Sequence, residues 1–504
     1  MITQIIVVCL YVLLVIVVGI IGMRKTKSFN DFFLGGGDVG PWMSAFSYGV
    51  AYFSAVMFIG FAGREGWNHG YSALWITFGN AFLGVFIVWR FFGWRIKQVS
   101  QKYNVSTLSE YLEKRYSSPF FKLAATIVIF VFLIPYSAAV FMGLSYLFDV
   151  YFNIEYWQAL TFMGIVTAIY IVLGGYNSMK LIDMIFGMIM TVSVILLLFF
   201  TIDKGGGLPS ITETLTELHP KLVKPIGPMG FWPLFSIVFL TGAAPLAMPH
   251  LVQKFFAIKD KRSIRIGTIA STCFAIIISG VAFFIGSTSR VFINNPDAFR
   301  YIPEGIPDNV IPYDAIPYFD RLMPELLATV IPPSLSVIVL ILILSASMST
   351  LAALVLVSAS SVTKDLFAGF MNKDATDKTL TGMMRIMSAV FIILAVFIAL
   401  IEFDVIVELL GVSWGAIGSF FLGPFVWGLL TKKVNRFGAL SSAFIALGVC
   451  FYLYFTGLNL PEGQTMMWYH TSPGAGTIGM ITSLVINPVF SSIGYVLGFR
   501  SNEK

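Results

Sequence analysis

L-S-A-S-M-S-T-L-A-A-L-V-L-V-S-A-S-S-V-T-K-D, residues 344–365, closes an apolar run from Leu335 to Val362 that is long enough to cross a bilayer. Ser345, Ser347, Ser349, Thr350, Ser358, Ser360 and Ser361 all fall within it. Hydroxyls are tolerated in an apolar helix when each bonds back to a carbonyl one turn earlier. Turned outward, the same oxygens are ligands for a small hard cation. Small residues also line contacts between membrane helices. Packing and cation binding are therefore the two readings of this stretch.

The rest of the chain sets the frame. Of its 504 residues, 57% are hydrophobic and only 12% are charged, where a soluble domain carries about 25% charged residues. The mean hydropathy is +0.85. This is the composition of an all-α polytopic membrane protein. The net charge of +6 points to basic cytoplasmic loops rather than to nucleic acid. Cys9, Cys273 and Cys450 lie in apolar runs without metal-ligand spacing, and nothing argues for disulfides. The start, M-I-T-Q, lacks positive charge, and Arg24, Lys25 and Lys27 follow the first apolar run instead. That run reads as a first span with its N-terminus outside, not as a cleavable signal.

With about 20 residues per crossing, the chain divides into about thirteen spans. They lie roughly at 3–22, 41–64, 72–94, 122–149, 157–175, 180–202, 230–250, 266–289, 333–362, 384–402, 405–430, 437–457 and 478–498. With the N-terminus outside, basic residues collect in the cytoplasmic connections: Arg95 to Arg115, Lys254 to Arg265, Lys364 to Lys378, Lys432 to Arg436, and the C-terminal Arg500 and Lys504. The outer connection from Asn294 to Glu325 is acidic, with Asp297, Glu304, Asp308, Asp314, Asp320 and Glu325. The expectation is a multi-pass protein of the cell membrane with a cytoplasmic C-terminus. No segment reads as a soluble catalytic domain, and residues 1–504 are taken as one transmembrane domain. The longest connections, about 203–229 and 290–332, have room for a short helix or two.

Three spans carry breaks or charge. In the second, Ser47-Tyr48-Gly49-Val50-Ala51-Tyr52-Phe53-Ser54 sets a glycine among small and polar residues near mid-depth. A helix unwound there frees carbonyl oxygens that need a partner such as an ion; a tightly packed glycine is the other reading. In the sixth, Asp183 stands about one turn inside the cytoplasmic end. It is either a functional carboxylate or an interfacial one paired with Lys180. In the seventh, Pro245 interrupts Thr241-Gly242-Ala243-Ala244. Two motifs fail their context. Gly35, Gly37 and Gly40 spell G-x-G-x-x-G but follow no strand. Gly411, Ser413 and Gly415 spell G-x-S-x-G without a strand-to-helix turn, and the one downstream histidine is His470. The remaining histidines form no metal cluster. The chain is not expected to be an enzyme.

Read together, several motifs resemble the sodium:solute symporters. They are F-F-L-G-G-G-D-V-G-P at 32–41, the polar second span, T-L-S-E-Y-L-E-K-R-Y at 107–116 and I-V-L-G-G-Y-N-S-M-K-L-I-D at 171–183. P-H-L-V-Q-K-F at 249–255, A-S-M-S-T at 346–350 and S-S-V-T-K-D-L at 360–366 follow in order. The resemblance implies a leucine-transporter-like core of five-plus-five inverted repeats, about 41–202 and 230–430, with peripheral helices 3–22, 437–457 and 478–498. It implies sodium as the coupling ion, with no cofactor, and sodium-coupled uptake of a small organic solute by alternating access. The solute would be an amino acid, a pantothenate-like or other organic acid, or a sugar. The implied sodium ligands are the carbonyls of Val50, Phe53 and Ala346 and the hydroxyls of Ser349 and Thr350. Asp183 matches an acidic position tied to sodium handling, and Tyr136 a tyrosine near substrate. Tyr52, Ser54 and Thr241 border the same expected cavity; Tyr52, Thr241 and Pro245 depart from the proline branch. A proton-coupled carrier of the same fold and a non-transporting membrane sensor are the alternatives.

Overall fold

The structure, a computed structural model, describes residues 2–293, 299–302, 312–332, 336–401, 405–461 and 464–501. Among these residues, 11 helical runs are long and apolar enough to cross a membrane. Two of them are too long to be one crossing each. Tyr156–Lys204 has 49 residues, about 74 Å at 1.5 Å per residue, against a hydrocarbon core of about 30 Å. It breaks at Gly175 (φ 56°, ψ −151°), where an added Cβ would lie 2.7 Å from the Phe32 carbonyl oxygen. Val56–Tyr103 breaks likewise at Gly70 (φ 59°, ψ −142°). Divided at these glycines, the helices follow the order of the segments expected from hydropathy.

Several helices begin earlier than the apolar pattern suggests. Lys261–Ser287, Asp377–Leu400 and Ser472–Val496 each start on a polar turn. The cause is a cap. Asp260 accepts from the Ser263 N–H at 2.7 Å, Thr376 from Thr379 at 3.3 Å and Thr471 from Gly474 at 3.2 Å. Each satisfies an N–H that the first turn leaves open.

Burial sorts the helices into inner and outer. In the apolar 18-residue stretch of each helix, 83% and 94% of the residues are buried for Ser336–Met371 and Ile406–Leu430, against 33% for Thr3–Lys25 and Arg436–Leu458. The outer helices show Ile5, Leu10, Leu13 and Tyr452 on their exposed faces, as lipid contact requires. Ala62–His69 and Lys261–Ser287 touch backbone to backbone: a Cβ on Gly286 would fall 1.8 Å from the Ala62 carbonyl oxygen. Among the described residues the long connections carry short elements: helices at Leu208–Leu218, Ser289–Phe292 and Phe319–Val330, a single turn at Pro220–Val223, and an antiparallel pair of Phe299–Tyr301 with Ile316–Pro317. Asp297, Glu304 and Asp308 of the acidic connection lie outside the described residues.

Candidate functional site

The second span is two helices. Pro41–Tyr52 ends where the Phe53 N–H closes on the Gly49 carbonyl at 2.9 Å and Phe53 itself leaves helical space (φ −99°, ψ 82°). The chain restarts when the Ser54 hydroxyl accepts from the Val56 N–H at 3.2 Å. Carbonyls next to such a break have lost their helical donors. Facing them is Ser336–Ser360. Its Thr350 Oγ1 lies 3.3 Å from the Val50 carbonyl, 3.1 Å from that of Ala51 and 3.1 Å from that of Ala346. A hydroxyl carries one hydrogen, so three carbonyls compete for one donor. The cluster is rich in acceptors and wholly buried, which is the donor set of a hard monovalent cation. Ala51 is the member that the sequence reading lacked.

Ser349, one residue earlier, turns elsewhere. Its hydroxyl donates to Asp183 Oδ1 at 2.5 Å, which leaves its lone pairs uncommitted. Asp183 is fully buried and does not pair with Lys180, whose Nζ donates to the Gly35 carbonyl at 3.1 Å. Its partner is Lys254, at 3.2 Å from Oδ2, with the Ser47 hydroxyl also donating to that oxygen. Lys254 was expected in a cytoplasmic loop. It is 2% exposed, because the helix Pro249–Ala257 continues past the break at Ala244–Leu246 and carries it inward. The other serines of the quoted stretch divide. Ser347, Ser360 and Ser361 bond to carbonyls of their own helix, as packing residues do; Thr350 makes that bond to Ala346 as well, and differs in reaching Val50 and Ala51 on the facing helix.

The break in the seventh span builds the other half of the site. Pro245 has no N–H, so the carbonyl four residues back, Thr241, has no helical donor. The Tyr52 hydroxyl supplies one at 2.6 Å and also approaches Asn80 Oδ1 at 3.1 Å. Beside this bond lies a cavity of about 20 Å³ bordered by Tyr52, Ser54, Tyr136 and Thr241, together with Asn80 and Trp414. That volume is about one water's worth. Tyr52, Ser54, Tyr136, Thr241 and Trp414 are all less than 7% exposed, so buried side chains wall the cavity. Trp414 sits inside the discarded G-x-S-x-G motif. Its Ser413 donates to the Phe132 carbonyl at 2.5 Å in mid-helix, while the Trp414 ring stands edge-on to Tyr136 at 5.8 Å between centroids. Trp414 and Asn80 carried no sequence signal, since an aromatic or amide in an apolar run reads as core.

Ion pairs tie the helices at both ends. Arg64 reaches Glu408 at 2.8 Å. At the opposite end Lys364 reaches Glu110 at 2.8 Å and the Thr107 hydroxyl donates to Asp365 at 2.7 Å. Burial pushes the Glu110 carboxyl up, but the Lys364 ammonium and the Ser106 backbone N–H outweigh it and hold the group below its ordinary value.

Interrupted membrane helices whose freed carbonyls take side-chain hydroxyls from other helices, beside a cavity walled by buried side chains, fit the architecture of a secondary transporter. The chain belongs to the sodium:solute symporter family, whose pattern matches residues 32–446. It is 28% identical to the sodium/proline symporter of Escherichia coli over 494 residues, covering 96% of this chain and 92% of that protein. It is 27% identical to the sodium/pantothenate symporter of Haemophilus influenzae, covering 96% and 93%. The fold is that of a sodium-coupled sialic acid symporter (TM-score 0.76, 17% identity, 97% of this chain and 98% of that one). It is therefore a multi-pass cell-membrane carrier that couples sodium to uptake of a small organic solute.

Proposed function

We propose that sodium binds between the broken second span and the ninth, held by the carbonyls of Val50, Phe53 and Ala346 and the hydroxyls of Ser349 and Thr350, with the Ala51 carbonyl added. The solute then occupies a widened form of the cavity beside Tyr52, Ser54, Tyr136 and Thr241, which at about 20 Å³ admits one water in the present state. The observation that carries this reading is the Thr350 hydroxyl set among three carbonyls with one hydrogen to give. A cation satisfies all of them at once. Sodium bound from outside holds the two helices together and favours the closed pocket; both cargoes leave inward as the helices rock. Asp183 couples ion to movement through Ser349. The thirteen-span count, the outside N-terminus and the two five-helix repeats belong to the same proposal.

The cavity wall offers hydroxyls, an amide, an indole N–H and aromatic faces, and no charged side chain. That lining suits the hydroxyls of a sugar or the apolar body and amide of a small organic acid, while the carboxylate of an amino acid or a pantothenate-like acid needs a cation such as the bound sodium beside it. The relatives' cargoes, proline and pantothenate, are the first to try. One sodium entering down ~100 mV contributes about 2.3 kcal/mol, and a tenfold gradient about 1.4 kcal/mol. Together these sustain a neutral solute at roughly a few hundredfold accumulation. The test is a thermal-shift screen of the purified protein against metabolites, first in sodium and then in potassium. Hits are followed by uptake into vesicles. Sodium-dependent accumulation above equilibrium supports the reading. Uptake driven by a pH gradient and indifferent to sodium overturns it in favour of a proton-coupled carrier.

A further inference from the structure

A carboxylate as deeply buried as Asp183 requires a positive neighbour. Two hydroxyl oxygens, Ser349 and Ser47, converge on it. Without a counter-charge, this is an all-oxygen cluster of net charge minus one, which is a seat for a hard monovalent cation. The seat is already taken. The Lys254 ammonium lies 3.2 Å from Asp183 Oδ2, 2.7 Å from Ser47 Oγ and 3.6 Å from the Met179 sulfur. It also stands 5.3 Å from the Tyr176 ring centre. An ammonium has three N–H donors, so each of them has a taker. The four polar groups come from four helices: Pro41–Tyr52, Tyr156–Lys204, Pro249–Ala257 and Ser336–Ser360. Ser349 is the neighbour of Thr350, so the lysine's seat and the proposed sodium site share one helix turn.

We propose that Lys254 is a tethered cation. Its ammonium fills the position beside Asp183 that a second metal ion would otherwise take, and so limits this carrier to a single sodium at the Thr350 cluster. The inference rests on the sodium site proposed above. A free ion entering beside Asp183 would have to displace a group of equal charge that is covalently held and buried. Lys254 therefore acts as a positioning residue. It holds the Asp183 carboxyl against Ser349 and Ser47 without drawing on the ion gradient.

The experiment is equilibrium binding of radioactive sodium to the full-length protein in nanodiscs. The wild type is compared with Lys254→Met, Lys254→Arg and the double variant Lys254→Met/Asp183→Asn. Thermal stability in sodium and in potassium is read in parallel. Expected are about one sodium per wild-type chain, about two in Lys254→Met, and a return to about one in Lys254→Arg and in the double variant. Lys254→Met should also gain more thermal stability from sodium than the wild type does. A wild type that binds no sodium defeats the underlying site, not this inference alone. A wild type that binds one ion and a Lys254→Met chain that still binds only one overturns the tethered-cation role, as does a wild type that binds two. Should Lys254→Met fold only poorly, rescue by sodium but not potassium supports the proposal. Failure of sodium to rescue it, while the double variant folds, refutes the idea that an ion fits that seat.

Discussion

Thr350→Val keeps a branched side chain of nearly the same shape and removes the one oxygen that three carbonyls surround, at 3.1–3.3 Å. Its effect on sodium affinity is the difference between two losses. Without sodium, the hydroxyl hydrogen serves one carbonyl at a time, so its loss costs about 0.5–1.5 kcal/mol. With sodium bound, the ion loses a ligand, a contact to a charged group that is usually about 1.5–3 kcal/mol. The bound state loses more by about 1–2 kcal/mol, a roughly 5- to 30-fold weaker sodium site at 1.4 kcal/mol per decade. The assay is the sodium concentration that gives half of the full thermal shift, with potassium making up ionic strength. Half-saturation of uptake follows once a solute is known. Thr350→Ser, which keeps the oxygen, should stay near wild type. A Thr350→Val midpoint within about twofold of wild type would falsify the assignment, as would an equal shift in Thr350→Ser.

Other perturbations separate the remaining contacts. Asp183→Asn leaves the buried Lys254 ammonium uncompensated and should lower stability by about 3–5 kcal/mol, besides impairing coupling. Asp183→Asn/Lys254→Met should recover much of that loss in a denaturation assay, and no recovery would mean that the pair is not the source. Tyr52→Phe strips the donor from the Thr241 carbonyl, a buried loss of about 1–3 kcal/mol. It should weaken solute binding more than sodium binding, and an unchanged solute midpoint would place Tyr52 outside the solute's reach. Gly286→Val drives a side chain into the Ala62 backbone and should abolish monodisperse protein on size-exclusion; normal expression and uptake from it would contradict the close approach of those helices.

The spans, the acidic and basic connections and the two broken helices were legible in the sequence, because each is a local property. An apolar run of about 20 residues has few alternatives to crossing a bilayer, and a proline removes its N–H wherever it stands. The hydroxyl pair at 349 and 350 was visible for the same reason. Partners were not. Lys254 lies a few residues from Lys259, Lys261 and Arg262 and reads with them as loop charge. Only the fold brings Asp183, 71 positions away along the chain, to its ammonium. The Ala51 carbonyl, Asn80 and Trp414 were hidden likewise, since any carbonyl, amide or indole in an apolar run looks like core until a neighbour faces it. Hydropathy depends on each residue's own transfer from water, and so the chain alone determined what enters the membrane. Charge compensation and ligand geometry depend on which helices meet, and that was decided in three dimensions.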